Sequence, residues 1–177
     1  MNTGQSEDTR NVTDEFRGMS VEAIKAELDT RRHSVHIAIE NLERDFNMGT
    51  IVRNANAFNV GAVHIVGRKQ WNKRGAMVTD RYMNIYYHPT IQDFTDAVSD
   101  LTIIGVDNIE GSEPLAGVRL PENAVLVFGS EGPGLSTDMV AVCEKVVAIE
   151  QFGSTRSVNV GVASGVVLYS WLQQHVL

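Results

Sequence analysis

The feature that most limits how this chain can fold is a set of short aliphatic runs in which polar residues rarely alternate with apolar ones. Val35–Ile39, Val63–Val66, Thr102–Val106, Ala124–Phe128 and Val146–Ile149 are each four or five residues long. A strand with one wet face shows strict alternation, whereas near-continuous apolar runs belong to strands covered on both faces. Helical periodicity fills the intervals. Ile51, Val52, Ala55 and Phe58 share a face within Gly49–Asn59, with Gly61 suited to the C-terminal cap. Ile91, Phe94 and Val98 do so within Thr90–Leu101, and Thr137–Lys145 reads as a further helix. A short extended segment is expected around Asn84–Tyr87. Strands alternating with helices predict an α/β fold, a mostly parallel sheet flanked by helices.

The last of these helices follows the polar loop Gln151–Arg156, with Ser157 or Asn159 at its cap. Val160, Ala163, Val167 and Trp171 line one side, while Gly161, Ser164 and Gly165 leave another side thin enough for a second backbone, a ligand or a subunit. Small polar residues where a strand meets a helix N-terminus suit a ligand as well as a plain cap. Arg53 projects from the first turn of the Gly49–Asn59 helix, where the macrodipole favours negative charge, so an anion is expected beside it, either a carboxylate or a substrate phosphate. Asn47 precedes the same turn and can cap it.

A chain of 177 residues makes one domain with a full core. Residues 1–33 read as a frayed tail followed by a short helix from Ser20 to about Thr30, and residues 34–177 as the domain proper. The single cysteine, Cys143, excludes an internal disulfide and a multi-cysteine zinc site and fits a reducing cytoplasm. No cluster of metal ligands stands out, so no metal is expected. Neither a basic–apolar leader nor an apolar run of membrane-spanning length occurs, so no membrane association is expected. The net charge of −7 argues against a nucleic-acid partner, but it is unevenly spread. Residues 1–30 hold seven acids against three bases, whereas Arg68, Lys69, Lys73, Arg74 and Arg81 face a single anion, Asp80, in the stretch 68–81. Local patches, not totals, grip phosphate, and Trp71, Tyr82, Tyr86 and Tyr87 offer rings on which bases can stack.

Gly129, Gly132 and Gly134 fall at the first, fourth and sixth positions of a loop after a strand, which is not the dinucleotide spacing. Leu135 stands where a P-loop needs lysine. A metabolic nucleotide-binding enzyme is therefore disfavoured. Three pieces together are more specific: Asn47-Met-Gly-Thr-Ile-Val-Arg53-Asn-Ala, Leu126-Val-Phe-Gly-Ser-Glu-Gly-Pro-Gly-Leu135, and Ile149 through Ser157-Val-Asn-Val160. In this order they resemble the signature motifs of the SpoU (TrmH-type) branch of the SPOUT methyltransferases, which methylate the ribose 2′-hydroxyl of RNA. The resemblance covers about residues 34–177.

It implies a C-terminal deep trefoil knot, S-adenosyl-L-methionine as cofactor, a homodimer with the site at the subunit interface, and tRNA or rRNA as substrate. It implies cofactor contacts from Val106, Gly129, Ile149, Ser157 and Val158. Arg53 would be the catalytic arginine, Asn47 the residue that helps place it, and Glu131 and Asn159 braces of the loops or reacting groups. RNA grip is expected from Arg68, Lys69, Lys73, Arg74 and Arg81. Glu150 stands where the family often has proline, and Ser157-Val-Asn159 replaces its Ser-Leu-Asn. The alternative is a non-catalytic RNA-binding protein that keeps the knotted fold.

Overall fold

The structure, a computed structural model, describes residues 10–41, 47–130 and 132–177. In chain order its elements are α1 (Val21–Asp29), β1 (His36–Asn41), α2 (Met48–Ala57), β2 (Val63–Gly67), β3 (Ile85–His88), α3 (Ile91–Ala97), β4 (Thr102–Val106), β5 (Glu113–Pro114), β6 (Ala124–Phe128), α4 (Thr137–Val142), β7 (Lys145–Ala148) and α5 (Val160–His175). Among the described residues seven strands form one sheet in the order β3-β2-β1-β6-β4-β7-β5, and every pairing is parallel. All strand C-terminal ends therefore meet one edge of the sheet, where ligand-binding loops of such sheets gather.

Both faces of the sheet are covered, which is why its strands are apolar throughout. Ile37, Ile39, Leu126 and Phe128 point to the side of α2 and α5, packing with Ile51, Val52, Val167, Leu168 and Trp171. Their neighbours Ala38, Val125 and Val127 point the other way, against Phe94 and Val98 beside α3 and Met139 of α4. Successive side chains of a strand take opposite faces, so one aliphatic run serves two cores. Among the described residues no helix is long and apolar enough to cross a membrane.

Several boundaries differ from the sequence reading. The helix expected over Thr137–Lys145 ends at Val142, because Cys143 is extended (ψ 138°) and Lys145 already pairs with Ile104. The helix expected to reach Leu101 ends at Ala97, where Val98 leaves helical geometry (φ −117°). The left-handed residue after α2 is Asn59 (φ 46°), two positions before Gly61. Arg53 is the sixth residue of α2 rather than part of its first turn. The tail expected to be frayed through residue 18 has a 3-10 turn at Asp14–Phe16, and the buried Phe16 packs with Ile24 and Tyr82. Tyr82 is thus a core residue, unlike the exposed Tyr86 and Tyr87. The loop expected over Asn41–Asn47 falls largely on residues 42–46, outside the described residues, while Asn41 itself closes β1. β5, two residues long, is too short to leave a periodic signal.

Three histidines cross β1, β2 and β3 in a line. His36 Nδ1 lies 3.0 Å from His64 Nε2, and His64 Nδ1 lies 2.9 Å from His88 Nε2. Burial, reinforced by the two flanking histidines, pushes His64 down to about 3. Burial also lowers His36 and His88. In the unfolded chain His64 takes up a proton near pH 6.5, while in the folded chain it stays neutral, so the unfolded state binds more protons as pH falls from 6.5 toward 3 and stability declines across that window. Urea unfolding at pH 7 and pH 5 is expected to show a loss of about 2 kcal/mol from this residue. His64→Gln should flatten the dependence, and an unchanged slope in that variant would refute the assignment.

Candidate active site

The glycine-rich loop that leaves β6 turns back on itself. Gly134 donates its N–H to Ser130 O at 3.0 Å, and Gly134 adopts φ 72°, a backbone geometry that side chains disfavour. Any Cβ at Gly129 would strike the backbone of Gly134, and one at Gly134 would strike the Asp107 carboxylate. Two carboxylates hold this turn. Glu40, 1% exposed at the end of β1, accepts from Ser136 N at 2.8 Å and from Ser136 Oγ. Asp107, just beyond β4, accepts from Leu135 N at 2.8 Å and Asn108 N at 2.7 Å.

The segment between β7 and α5 is tied at Arg156 and at Asn159. Asn108 Nδ2 donates to Arg156 O at 2.9 Å. Asn159 caps α5 through Oδ1, which accepts from Gly161 N at 2.9 Å and Val162 N at 3.2 Å. Its Nδ2 donates to Asn47 Oδ1 at 2.9 Å, across 112 residues of sequence. Asn47 thus does not cap its own helix with its side chain, the bland reading of that residue. The thin side of α5 receives α2: a Cβ at Gly161 would lie 2.8 Å from Thr50 Cγ2. Asn54 Nδ2 donates to Gly161 O at 2.8 Å and to Ser164 Oγ at 2.9 Å.

Between these loops lies a cleft of about 260 Å³. Val106, Gly129, Ile149, Ser157, Val158 and Asn159, all singled out from the sequence, are on its wall. Ser157, Val158 and Asn159 are exposed there. Arg53 is exposed and lies off that wall, and no ion pair among the described residues engages it. Glu131 lies outside the described residues. Glu150 turns away from the cleft, its Oε1 accepting from Ala116 N at 3.1 Å.

The five cations of the 68–81 stretch are all exposed and away from the cleft wall, but the stretch starts from the same sheet edge. Asn41 Nδ2, at the end of β1, anchors it by donating to Arg68 O at 2.6 Å and Gln70 O at 3.2 Å. Lys69 Nζ sits 5.0 Å from the Tyr87 ring centroid, and Lys73 Nζ 5.5 Å from that of Trp71. Lys73 also pairs with Asp80 at 2.8 Å, which raises its pKa, so part of its charge is already answered.

Sequence reasoning missed Glu40, Asp107, Gln151 and Asn54. Glu40 carried a signal, a carboxylate abutting an aliphatic strand, but the strand was read as ending at Ile39. Gln151 Oε1 is buried without a hydrogen-bond partner among the described residues, and the residue is part of the cleft wall. Nothing local in the sequence marks it out.

The profile of a family described as SpoU rRNA Methylase matches residues 34–169. An uncharacterized tRNA/rRNA methyltransferase of Mycobacterium avium (strain 104) is 33% identical over 151 residues, covering 75% of this chain and 45% of its own length. The 23S rRNA (guanosine-2'-O-)-methyltransferase RlmB of Neisseria meningitidis serogroup B is 27% identical over 182 residues, covering 91% of this chain and 72% of its own. The chain thus spans about half the length of the first of these relatives. Among solved structures, the SpoU methyltransferase AviRb from Streptomyces viridochromogenes in complex with AdoMet superposes with a TM-score of 0.71 at 21% identity, over 82% of this chain and 60% of that one, a likeness of fold. With the family profile covering the whole sheet and all three motif regions, the chain belongs to the SpoU rRNA Methylase family.

Proposed function

We propose that this protein is an S-adenosyl-L-methionine-dependent methyltransferase acting on a ribose 2′-hydroxyl of tRNA or rRNA. The observation that carries the reading is the Asn159–Asn47 hydrogen bond, which ties the cleft-forming third motif to the helix that bears Arg53. The cleft suits the cofactor: Gly129 and the Ile149–Gln151 segment offer backbone groups, and the orphaned Gln151 Oε1 is an acceptor for an amino group. Val106, Gly129, Ile149, Ser157 and Val158 are the residues we assign to holding it. Once bound, the sulfonium supplies an electrophilic methyl group.

The protein's own task is to align the hydroxyl with that methyl and to answer the charge that develops on oxygen. The role assigned to the Arg53 guanidinium is to hold the neighbouring phosphate and stabilise the hydroxyl oxygen as the hydroxyl proton passes to solvent. Asn47 and Asn159 keep α2 in register with the cleft, and Glu131 belongs to the loop that Glu40 and Asp107 brace. No metal enters this chemistry.

Residues 34–177 form the catalytic domain in this reading, with residues 1–33 as an appendage, and the enzyme works in the cytoplasm. A C-terminal knot is part of it. Supporting the knot, β7 is flanked by β4 on one side and β5 on the other, so the chain passes β7 on leaving β4 and returns to β6 on the far side of β4. A homodimer is also part of it. Val162, Val166 and Tyr169, spaced to share one side of α5, are 57%, 43% and 48% exposed. Arg53 stands off the cleft of its own chain, which favours a site completed by a second copy. RNA would run from the cleft along the sheet edge to Arg68, Lys69, Arg74 and Arg81, with Lys73 contributing less because of Asp80.

Three outcomes are expected. Arg53→Ala should lower methylation of RNA by about 10²-fold or more while calorimetry finds S-adenosylmethionine affinity nearly unchanged; equal loss of both contradicts the assigned role. Replacing Arg68 and Arg74 by alanine should reduce the slope of log affinity for RNA against log salt by about 2, and an unaltered slope assigns these cations elsewhere. Val166→Glu with Tyr169→Glu should give a monomer in sedimentation with little residual activity; a dimer of unchanged strength excludes this face.

A further inference from the structure

Between the 3-10 turns Arg74–Ala76 and Thr79–Tyr82, two consecutive residues that are not glycine take left-handed backbone geometry, Met77 at φ 48° and Val78 at φ 69°. For valine, branched at Cβ, this is a genuine outlier. Both side chains are also turned outward, 53% and 51% exposed. Strain of this kind persists only where its surroundings impose it.

Those surroundings are rigid. Ala76 and Thr79, on either side of the pair, are buried, and Thr79 Oγ1 donates to Ala76 O at 2.6 Å. The ion pair of Lys73 with Asp80 spans the base of the turn. The turn is seated on α2 by backbone against backbone: a Cβ at Gly49 would lie 2.6 Å from Ala76 N, and one at Gly75 would lie 3.1 Å from Thr50 N. Gly49 and Thr50 are one helical turn before Arg53, so an apolar tip is held beside the helix that carries the reacting-site cation. Exposed Arg74 and Arg81 flank it.

We propose that Met77 and Val78 form a fixed apolar tip that packs against the nucleobases of the substrate RNA while the flanking arginines hold its phosphates. Apolar side chains stack on or wedge between bases without hydrogen bonding, and they do so best when presented rigidly. Charge complementarity selects the occupant: a tip set between two cations suits a polyanion that carries flat apolar faces. This inference rests on the RNA-methylating reading above.

The test uses Met77→Asn/Val78→Asn, because asparagine tolerates the left-handed region and is polar. Binding to deproteinised total tRNA and to total ribosomal RNA is measured separately across a salt series, with melting temperature, sedimentation and S-adenosylmethionine calorimetry on the same samples. The double variant should melt no lower than the parent, bind the cofactor equally, and bind the preferred RNA roughly tenfold more weakly. Its salt slope should be unchanged, since no phosphate contact is lost. Undiminished RNA affinity, a reduced salt slope, or conversion of a dimer to a monomer each overturns the proposal, the last by assigning the tip to a subunit interface. A parent protein that binds neither RNA overturns the functional reading and this inference together.

Discussion

The near-contact between α2 and α5 is the constraint on which the rest of the structure hangs. One helix offers Gly161 and Ser164, the other Thr50 and Asn54, and the backbones close until Asn54 bonds directly to a carbonyl of its neighbour. Small side chains permit the approach and amide hydrogen bonds fix its register. Asn159 then serves two masters with one amide, capping α5 through its oxygen and tethering Asn47 through its nitrogen. Loosening this contact would let the cleft and the arginine-bearing helix move apart.

A second layer of restraint comes from charge placed inside the protein. Glu40 and Asp107 both turn inward at strand ends and bind backbone N–H groups of the glycine-rich loop. The loop can therefore place Gly129 and Gly134 at close approaches and still be anchored at its far end. Acidity is spent on internal architecture and on the N-terminal residues, leaving the Arg68–Arg81 stretch positive in a protein whose total is −7. Net charge says little about the local surface here, because the charges of opposite sign occupy different places.

What the sequence disclosed followed from periodicity and from close-packed glycine. Two-sided burial left aliphatic runs at β1, β2, β4, β6 and β7, and the thin side of α5 was visible in Gly161, Ser164 and Gly165. Helix ends were less legible: Val98 and Cys143 leave helical geometry for tertiary reasons that no local residue announces. Tyr82 looks like its exposed neighbours in the sequence, and what buries it includes Phe16, 66 positions earlier. Asn47 is the sharpest case. Its position before a helix made a cap the natural reading, but its side-chain oxygen accepts instead from Asn159, 112 residues away.

The 112-residue span between Asn47 and Asn159 also bears on the protein's birth. Contacts between distant segments form late, after the loop entropy between them has been surrendered. During synthesis the helix bearing Arg53 leaves the ribosome long before the segment that will anchor it. An incomplete or prematurely terminated chain would carry the cationic surface without the assembled cleft.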